Sequence, residues 1–160
     1  MGFNFEFKLL DDEKEIGKLK KHLIIQPFNY PNYFDWVERT MHEIDYGYKK
    51  AILAFSDDII VGDGIFQPHK TLSRILEFKN MRIHPALQRR YFGFFIARQV
   101  EAEARENDYD AIICDTHSDR IDVLNLMKFC GYREIARKPL YESNTEDIVL
   151  LKNLKNSLTI

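Results

Sequence analysis

Positive charge is concentrated in one part of the chain. Residues 68–98 hold a single carboxylate, Glu77, against seven cationic side chains: Lys70, Arg74, Lys79, Arg82, Arg89, Arg90 and Arg98. The whole chain of 160 residues has a net charge of -2, so the remainder must be acidic. A basic zone on an acidic protein indicates an anion bound at one place. The alternative is a solvated surface that happens to be basic.

The segment Gln88–Gly93 lies inside this zone, between a strand pattern and a helical pattern. A helix N-terminus presents unpaired N–H groups and the positive end of the helix dipole, both of which suit a phosphate. Gly93 allows a close approach of a ligand or an unusual backbone angle. The segment therefore predicts a phosphate-binding loop.

Two carboxylates stand near this loop. Asp63 interrupts an apolar strand pattern, and Glu77 is the one acid of the basic zone. If the hairpin between them turns about residue 70, they are cross-strand partners, and their mutual repulsion raises one pKa towards the range useful for proton transfer. The alternative is that both face solvent, with Glu77 paired to Lys79 or Arg74.

The remaining reactive side chains show no metal-binding spacing, so we predict no metal. Of the five histidines, His117 is the best placed to face a substrate because it follows a buried strand. Cys114 and Cys130 are predicted to be small core residues rather than nucleophiles.

These residues must be positioned by one domain spanning residues 1–160, with an α/β (α+β) fold: a mixed, mostly antiparallel central sheet flanked by helices. Period-two segments predict strands, and apolar residues at helical spacing predict helices, the first of them capped by Asp12 and Glu15. The predicted strands are 3–8, 50–55, 59–66, 74–84, 111–114, 132–137 and 147–151; the predicted helices are 12–25, 30–44, 92–106 and 119–130.

Composition excludes several classes of protein. The slightly negative net charge argues against general nucleic-acid binding. No apolar run has the roughly 18 residues of a membrane span, and the N-terminal alternation of apolar and charged residues is unlike a signal peptide. Two cysteines make no disulfide framework, which favours a reducing, cytoplasmic location.

The loop and its surroundings resemble the GNAT superfamily of acyl-CoA-dependent N-acyltransferases. The pyrophosphate loop of that family has the pattern Q/R-x-x-G-x-G/A; Gln88 and Gly93 match its first and last positions, and Tyr91 stands where the first Gly is expected. Further similar segments are Ile83-His84-Pro85, VGDGIF at 61–66 and LNLMKFCGYREI at 124–135.

The resemblance implies a cofactor site for acetyl-CoA. In that family the strand before the loop usually bulges, and its exposed backbone groups, here those of Met81, Arg82 and Ile83, would hold the pantetheine arm and the thioester carbonyl. The backbone from Arg89 through Arg90, Tyr91, Phe92 and Gly93 to Phe94 would hold the pyrophosphate. Thr116 would line a gap between the two central parallel strands, and Arg120 stands at a pantetheine-contacting position. Met127 occupies the place of a tyrosine that protonates the leaving thiolate, which leaves water, Tyr132 or Tyr141 for that role.

The resemblance also implies a reaction. Glu77 lies eleven residues before Gln88, the spacing of the catalytic glutamate in histone-type members. We therefore expect acetyl transfer to a primary amine by direct attack in a ternary complex, with Glu77 and Asp63 as candidate bases. The acceptor would be a small-molecule or peptide amine. Tyr30, Tyr33, Phe34 and Trp36 would form an aromatic wall beside it; the alternative is that they belong to the core, as aromatic residues at helical spacing more often do.

Three points stay open at this stage. A homodimer through the last strands is allowed by the apolar segment Ile148–Leu151. A non-catalytic acyl-CoA sensor or interaction module would explain Tyr91 and Met127. A flavodoxin-like nucleotide-binding domain is the third alternative, but the run of antiparallel strands before residue 85 argues against it.

Overall fold

The structure is a computed structural model that describes residues 4–29, 31–141 and 144–155. Within them, strands and helices follow each other in the predicted order: β1 (Phe5–Leu9), α1 (Glu13–Ile25), α2 (Tyr33–Asp45), β2 (Lys50–Ser56), β3 (Ile59–Pro68), β4 (Ile75–Ile83), α3 (Phe92–Glu106), β5 (Ala111–His117), α4 (Ile121–Phe129), β6 (Arg133–Lys138) and β7 (Asp147–Asn153). Residue 3 of the first predicted strand and Tyr30 of the second predicted helix lie outside the described residues.

The strands form one mixed sheet in the order β1-β2-β3-β4-β5-β7-β6. Every neighbouring pair is antiparallel except β4 and β5, which run parallel. The predicted fold class, a mostly antiparallel sheet flanked by helices, is therefore confirmed.

Local signals start and stop the helices where the sequence indicates. The Asp12 carboxylate accepts a hydrogen bond from the Lys14 N–H at the start of α1, as a capping residue does. Gly131 has a φ of 94° just after α4, in the left-handed region that glycine adopts at helix ends.

The two faces of the sheet carry separate cores. Helices α3 and α4 cover one face, with Ile96, Val100 and Leu124 in its core, and α1 and α2 cover the other, with Leu19 and Val37. Helix α3 comes close to β3: a Cβ at Gly64 would lie 2.5 Å from Cγ2 of Ile96, and one at Gly62 would lie 3.0 Å from its Cδ1. The alternation of glycine in the VGDGIF segment therefore makes room for α3.

The parallel strands part soon after they meet. Only Ile75–Glu77 pair with Ala111–Ile113, and beyond them β4 and β5 continue without pairing. In β4, Phe78 pairs with Phe66 and Asn80 with Ile65, so Lys79 is the extra residue of a β-bulge. The bulge predicted for this strand is present, and a cleft opens between β4 and β5 beyond Glu77.

The expected dimer segment is not an exposed edge. Strand β7 lies between β5 and β6, and Ile148 and Leu150 are buried within the chain. Their apolar side chains therefore cannot form a dimer surface, and homodimerisation stays a prediction. Within the described ranges, no helix combines the length and the apolar character of a membrane-crossing segment.

Candidate functional site

The cleft exposes main-chain groups on one side. The His84 N–H donates to the Val61 carbonyl, and hydrogen-bonded pairs alternate along an antiparallel ladder. Arg82 therefore bonds with Asp63 across the ladder, whereas the backbone groups of Met81 and Ile83 are directed away from β3, to the side where β5 has separated. Of the three residues expected to offer main-chain groups to the cofactor, Met81 and Ile83 have them on the side of the cleft, whereas those of Arg82 are used in the ladder with β3.

The side chain of Arg82 lies on the face of the sheet that α1 and α2 cover. It is buried, donates to the carbonyls of Leu23 and Gln26 and to the Tyr33 hydroxyl, and stacks 3.9 Å from the centre of the Phe28 ring. Arg82 therefore ties β4 to the connection between α1 and α2.

The predicted phosphate loop has the backbone of an anion site. Arg89 and Tyr91 have φ values of 62° and 67°, in the left-handed region, so Tyr91 adopts the conformation expected of the missing glycine. Phe95 donates the first helical hydrogen bond, to the Tyr91 carbonyl. The amides of Phe92, Gly93 and Phe94 precede that bond and form the open end of the helix.

The loop side chains leave this end accessible. The Tyr91 side chain is 72% exposed, and Arg89 and Arg90 are exposed with no ion-pair partner among the residues that the structure describes. The Gln88 side chain donates to the Ile83 carbonyl at 3.2 Å and thus links the loop to the cleft.

The basic zone is not one patch. Arg74 pairs with Asp110, Lys79 with Glu77 and Arg98 with Glu101, and Arg82 is buried on the far face. Of the three cations that remain, exposed Lys70 lies in the connection between β3 and β4. The predicted anion site is therefore limited to the two arginines of the loop, Arg89 and Arg90.

Gly93 has a packing role that the sequence did not indicate. It lies in the first turn of α3 with an ordinary helical conformation, and a Cβ there would lie 2.8 Å from Cδ2 of Leu126 in α4. A bulky residue at Gly93 would therefore disturb the contact between α3 and α4 as well as the loop.

Glu77 stands at the point where β4 and β5 part, because it is the last residue of β4 paired with β5. Its carboxylate accepts from the Gln67 amide at 3.2 Å and lies 2.8 Å from Nζ of Lys79. The pair with Lys79 that the sequence offered as the alternative is present. It is only partly exposed and lies at the cleft, so it does not remove Glu77 from the site.

The predicted pairing of Asp63 with Glu77 is wrong. Gln67 is the cross-strand partner of Glu77, and Asp63 lies opposite Arg82. Asp63 is 0% exposed; its carboxylate accepts from the Asn80 amide at 2.6 Å and lies 3.2 Å from Nε2 of His22. Asp63 is thus held within the sheet under α1 and has no open path to a substrate.

Asp115 supplies a second carboxylate at the cleft, from β5. The hydroxyl of Tyr141, in the connection between β6 and β7, donates to it at 3.2 Å. Burial raises the pKa of Asp115; the Tyr141 hydrogen bond and the charge of Lys79 oppose this, and the charges of Asp147 and Glu77 add to it. Burial and the charge of Asp115 raise the pKa of Tyr141. The sequence did not place Gln67 at the site, and it offered Lys79 only as a partner of a solvent-facing Glu77; the bulge itself was expected, but not its position.

The other predicted cofactor residues divide into two groups. Thr116 lies on β5 beyond its last pairing with β4, at the predicted gap, and Arg120 precedes α4 with its guanidinium on Asp122. Met127, on α4, is 2% exposed and packs into the core between the helices and the sheet, so its side chain does not line the open cleft. Tyr132 is also buried, and burial raises its pKa.

The aromatic wall is partly formed. Phe34 is exposed, Tyr33 is buried with its hydroxyl on the Leu23 carbonyl, and Trp36 stacks on Tyr33. A cavity of about 550 Å³ lies at the connection between α1 and α2. Its lining residues are Pro27, Phe28, Asn29, Asn32, Tyr33, Phe34 and Asp35. Tyr30, the fourth predicted member, is outside the described residues.

The remaining reactive residues are a histidine paired with a carboxylate and two buried cysteines. His117 lies 3.0 Å from Asp147, and Cys114 and Cys130 are buried free thiols, as predicted. Among the described residues, no group of histidine, cysteine, aspartate and glutamate is arranged to hold a metal ion.

Comparison with known proteins identifies the fold. No family model matches the sequence, and no curated protein matches it significantly. Solved structures do match. A protein assigned to the GNAT acetyltransferase family from Desulfovibrio desulfuricans is 14% identical, with a TM-score of 0.82 over 94% of this chain and 99% of its own.

Two further structures match at similar coverage. The ribosomal-protein-S18-alanine N-acetyltransferase of Escherichia coli is 12% identical, with a TM-score of 0.76 over 98% of this chain and 100% of its own. A Bacillus subtilis acetyltransferase in complex with CoA is 17% identical, with a TM-score of 0.72 over 95% and 100%. This chain therefore has the fold of the GNAT acetyltransferases.

Proposed function

We infer that the protein is an N-acetyltransferase that transfers an acetyl group from acetyl-CoA to the primary amine of a small molecule or peptide. The observation that carries this is the cleft between β4 and β5, with the helix-end amides of Phe92–Phe94 and the free cations of Arg89 and Arg90 at its mouth. Structures of the same fold supply the precedent, one of them with CoA bound and one named for acting on an alanine.

The cleft residues support a direct transfer. Main-chain N–H groups of Met81 and Ile83 would hold the pantetheine arm and polarise the thioester carbonyl. The acceptor amine must lose a proton before it attacks, and Glu77, a partly exposed carboxylate at the end of the β4–β5 pairing, is the candidate base. Tyr141 is better placed than buried Tyr132 to protonate the departing thiolate.

Binding should be tested by titration calorimetry with acetyl-CoA, using ATP and NAD as controls. The loop variant is Arg89→Glu/Arg90→Glu, chosen because a bulky residue at Gly93 would also strike α4. A variant of equal charge change, Arg133→Glu/Lys138→Glu, alters two exposed cations on β6. We expect the loop variant to bind about 10- to 100-fold more weakly, since charge-assisted hydrogen bonds are lost.

The results separate the alternatives. Equal weakening in both variants would mean that net charge, not the loop, governs binding. Failure of the wild type to bind any CoA ester would overturn the enzyme assignment. Binding without transfer to any of a panel of amines would favour the non-catalytic acyl-CoA sensor.

A further inference from the structure

The place beside Glu77 is already occupied by an amine. Lys79 Nζ lies 2.8 Å from Oε1 of Glu77, and the two side chains are 26% and 18% exposed. An acceptor amine approaching the cleft would need that same carboxylate to take its proton. Lys79 therefore stands where a substrate amine is expected.

The β-bulge puts Lys79 there. As the extra residue of β4, it has no partner in the ladder with β3. Its ammonium lies on Glu77, and Glu77 alternates with Leu76 and Phe78, which belong to the core under α3 and α4. The pair therefore lies on the other face of the sheet, that of α1 and α2, two residues along β4 from Met81. Charges close to it among the described residues include Glu77 on its own strand, Asp115 on β5 and buried Lys49 before β2.

We propose that Lys79 is an internal acetyl acceptor, so that the protein acetylates itself at this residue. The proposal rests on the proposed function, since it requires acetyl-CoA in the cleft. The ammonium gives one proton to Glu77 and through it to water. The neutral amine then attacks the thioester carbon; the N–C bond forms, the C–S bond breaks, and the second proton goes to the sulfur. The products are N-acetylated Lys79 and the free thiol of CoA.

Lys49 offers a matched comparison. It also pairs with a glutamate, Glu43, at 2.7 Å, and burial lowers its pKa, which favours the reactive neutral amine. Its ammonium contacts Thr40 and lies over the Trp36 ring, and the residue is buried. If a low pKa alone determined modification, Lys49 would be acetylated first; if position beside the cleft determines it, Lys79 will be.

The full-length chain should be incubated with acetyl-CoA carrying an isotopic label in the acetyl group, so that acetylation from the expression host is distinguished. Peptide mass spectrometry then follows each lysine with time, and calorimetry measures acetyl-CoA binding on the same preparation. Exposed Lys50 reports the background chemical rate. We expect Lys79 to be labelled about 100-fold faster than Lys50. The fraction labelled per unit time should not depend on protein concentration.

Variants locate the reaction. Lys79→Arg should remove the fast label, Glu77→Gln should slow it by about 100-fold or more, and Arg89→Glu/Arg90→Glu should bring it close to the Lys50 rate. If acetyl-CoA binds but Lys79 is labelled no faster than Lys50, or Lys49 is labelled first, self-acetylation is overturned and the proposed function stands. If acetyl-CoA does not bind, both fall together.

Discussion

At the scale of single residues, Glu77 has a fixed position at the cleft, and its carboxylate is still partly exposed. It is the last residue of β4 paired with β5, and Gln67 and Lys79 hold its carboxylate. We predict that Glu77→Gln lowers the rate of acetyl transfer by about 100- to 10,000-fold, because a positioned base is lost. Calorimetry should show unchanged acetyl-CoA affinity, since Glu77 lies away from the phosphate loop.

The control for that experiment is Glu134→Gln. Glu134 is an exposed carboxylate on β6 paired with Arg137, far along the sheet from β4. Its replacement should leave transfer unchanged. Equal activity of the Glu77→Gln protein and the wild type would exclude Glu77 as the base.

Tyr91 tests the backbone of the loop. A φ of 67° strains a residue with a Cβ by about 1–3 kcal/mol. Glycine would relieve that strain but loses roughly 0.5–1 kcal/mol through chain entropy. The free energy of unfolding of Tyr91→Gly should therefore equal that of the wild type or exceed it by up to about 2 kcal/mol, and the variant should bind acetyl-CoA at least as well.

The matched variant at this position is Tyr91→Val. A β-branched residue adopts a positive φ least readily, so the valine protein should be less stable than the glycine protein by about 1–3 kcal/mol in urea unfolding. Equal stability of the two would mean that the loop relaxes to a different backbone.

At the scale of elements, the packing of α3 on β3 depends on the space at Gly64. A methyl group there would lie 2.5 Å from Ile96 and 3.4 Å from Phe78 and Val100. Gly64→Ala should therefore destabilise the protein by about 1–3 kcal/mol. Gly17→Ala is the control. Gly17 is an exposed position of α1 with nothing within 4 Å of an added side-chain carbon among the residues that the structure describes, so an alanine there should stabilise the protein by about 0.5–1 kcal/mol. Thermal and urea unfolding would measure both, and a neutral Gly64→Ala would contradict the close packing.

Element order was predictable from the sequence because apolar periodicity marks each helix and strand, and the phosphate loop was predictable because it follows a strand and opens a helix. Strand register was not. The hairpin between β3 and β4 turns near residue 72, beyond the assumed residue 70, and the bulge at Lys79 shifts the pairing again. Those two effects moved Asp63 from Glu77 to Arg82. The burial of Met127 likewise depends on how α4 packs, which its own spacing does not specify.

At the scale of the whole molecule, β5 connects a closed end of the sheet to the open cleft, and a carboxylate stands at each end. Asp110, before β5, accepts hydrogen bonds from Nε and Nη2 of Arg74 and lies 2.7 Å from Nζ of Lys155; these partners lower its pKa to about 2. A carboxyl with a lowered native pKa stabilises the fold above its ordinary pKa and loses that contribution as pH falls. Asp110→Asn should therefore be less stable than the wild type at pH 7, and the difference should shrink as urea unfolding is repeated towards about pH 2.

Asp115 is at the other end and should behave in the opposite way. Burial raises its pKa, so the native state binds a proton more readily than the unfolded chain, and stability falls as pH rises through the interval between the two pKa values. Asp115→Asn removes the buried charge and keeps an acceptor oxygen for Tyr141. It should be more stable than the wild type at pH 7, with the gain disappearing at acid pH, while any role of Asp115 in the cleft would appear as slower acetyl transfer. A variant less stable than the wild type at pH 7 would mean that the partners of Asp115 outweigh its burial. Higher stability together with slower transfer would show that the open end of the sheet retains a charge that the reaction uses and the fold does not require.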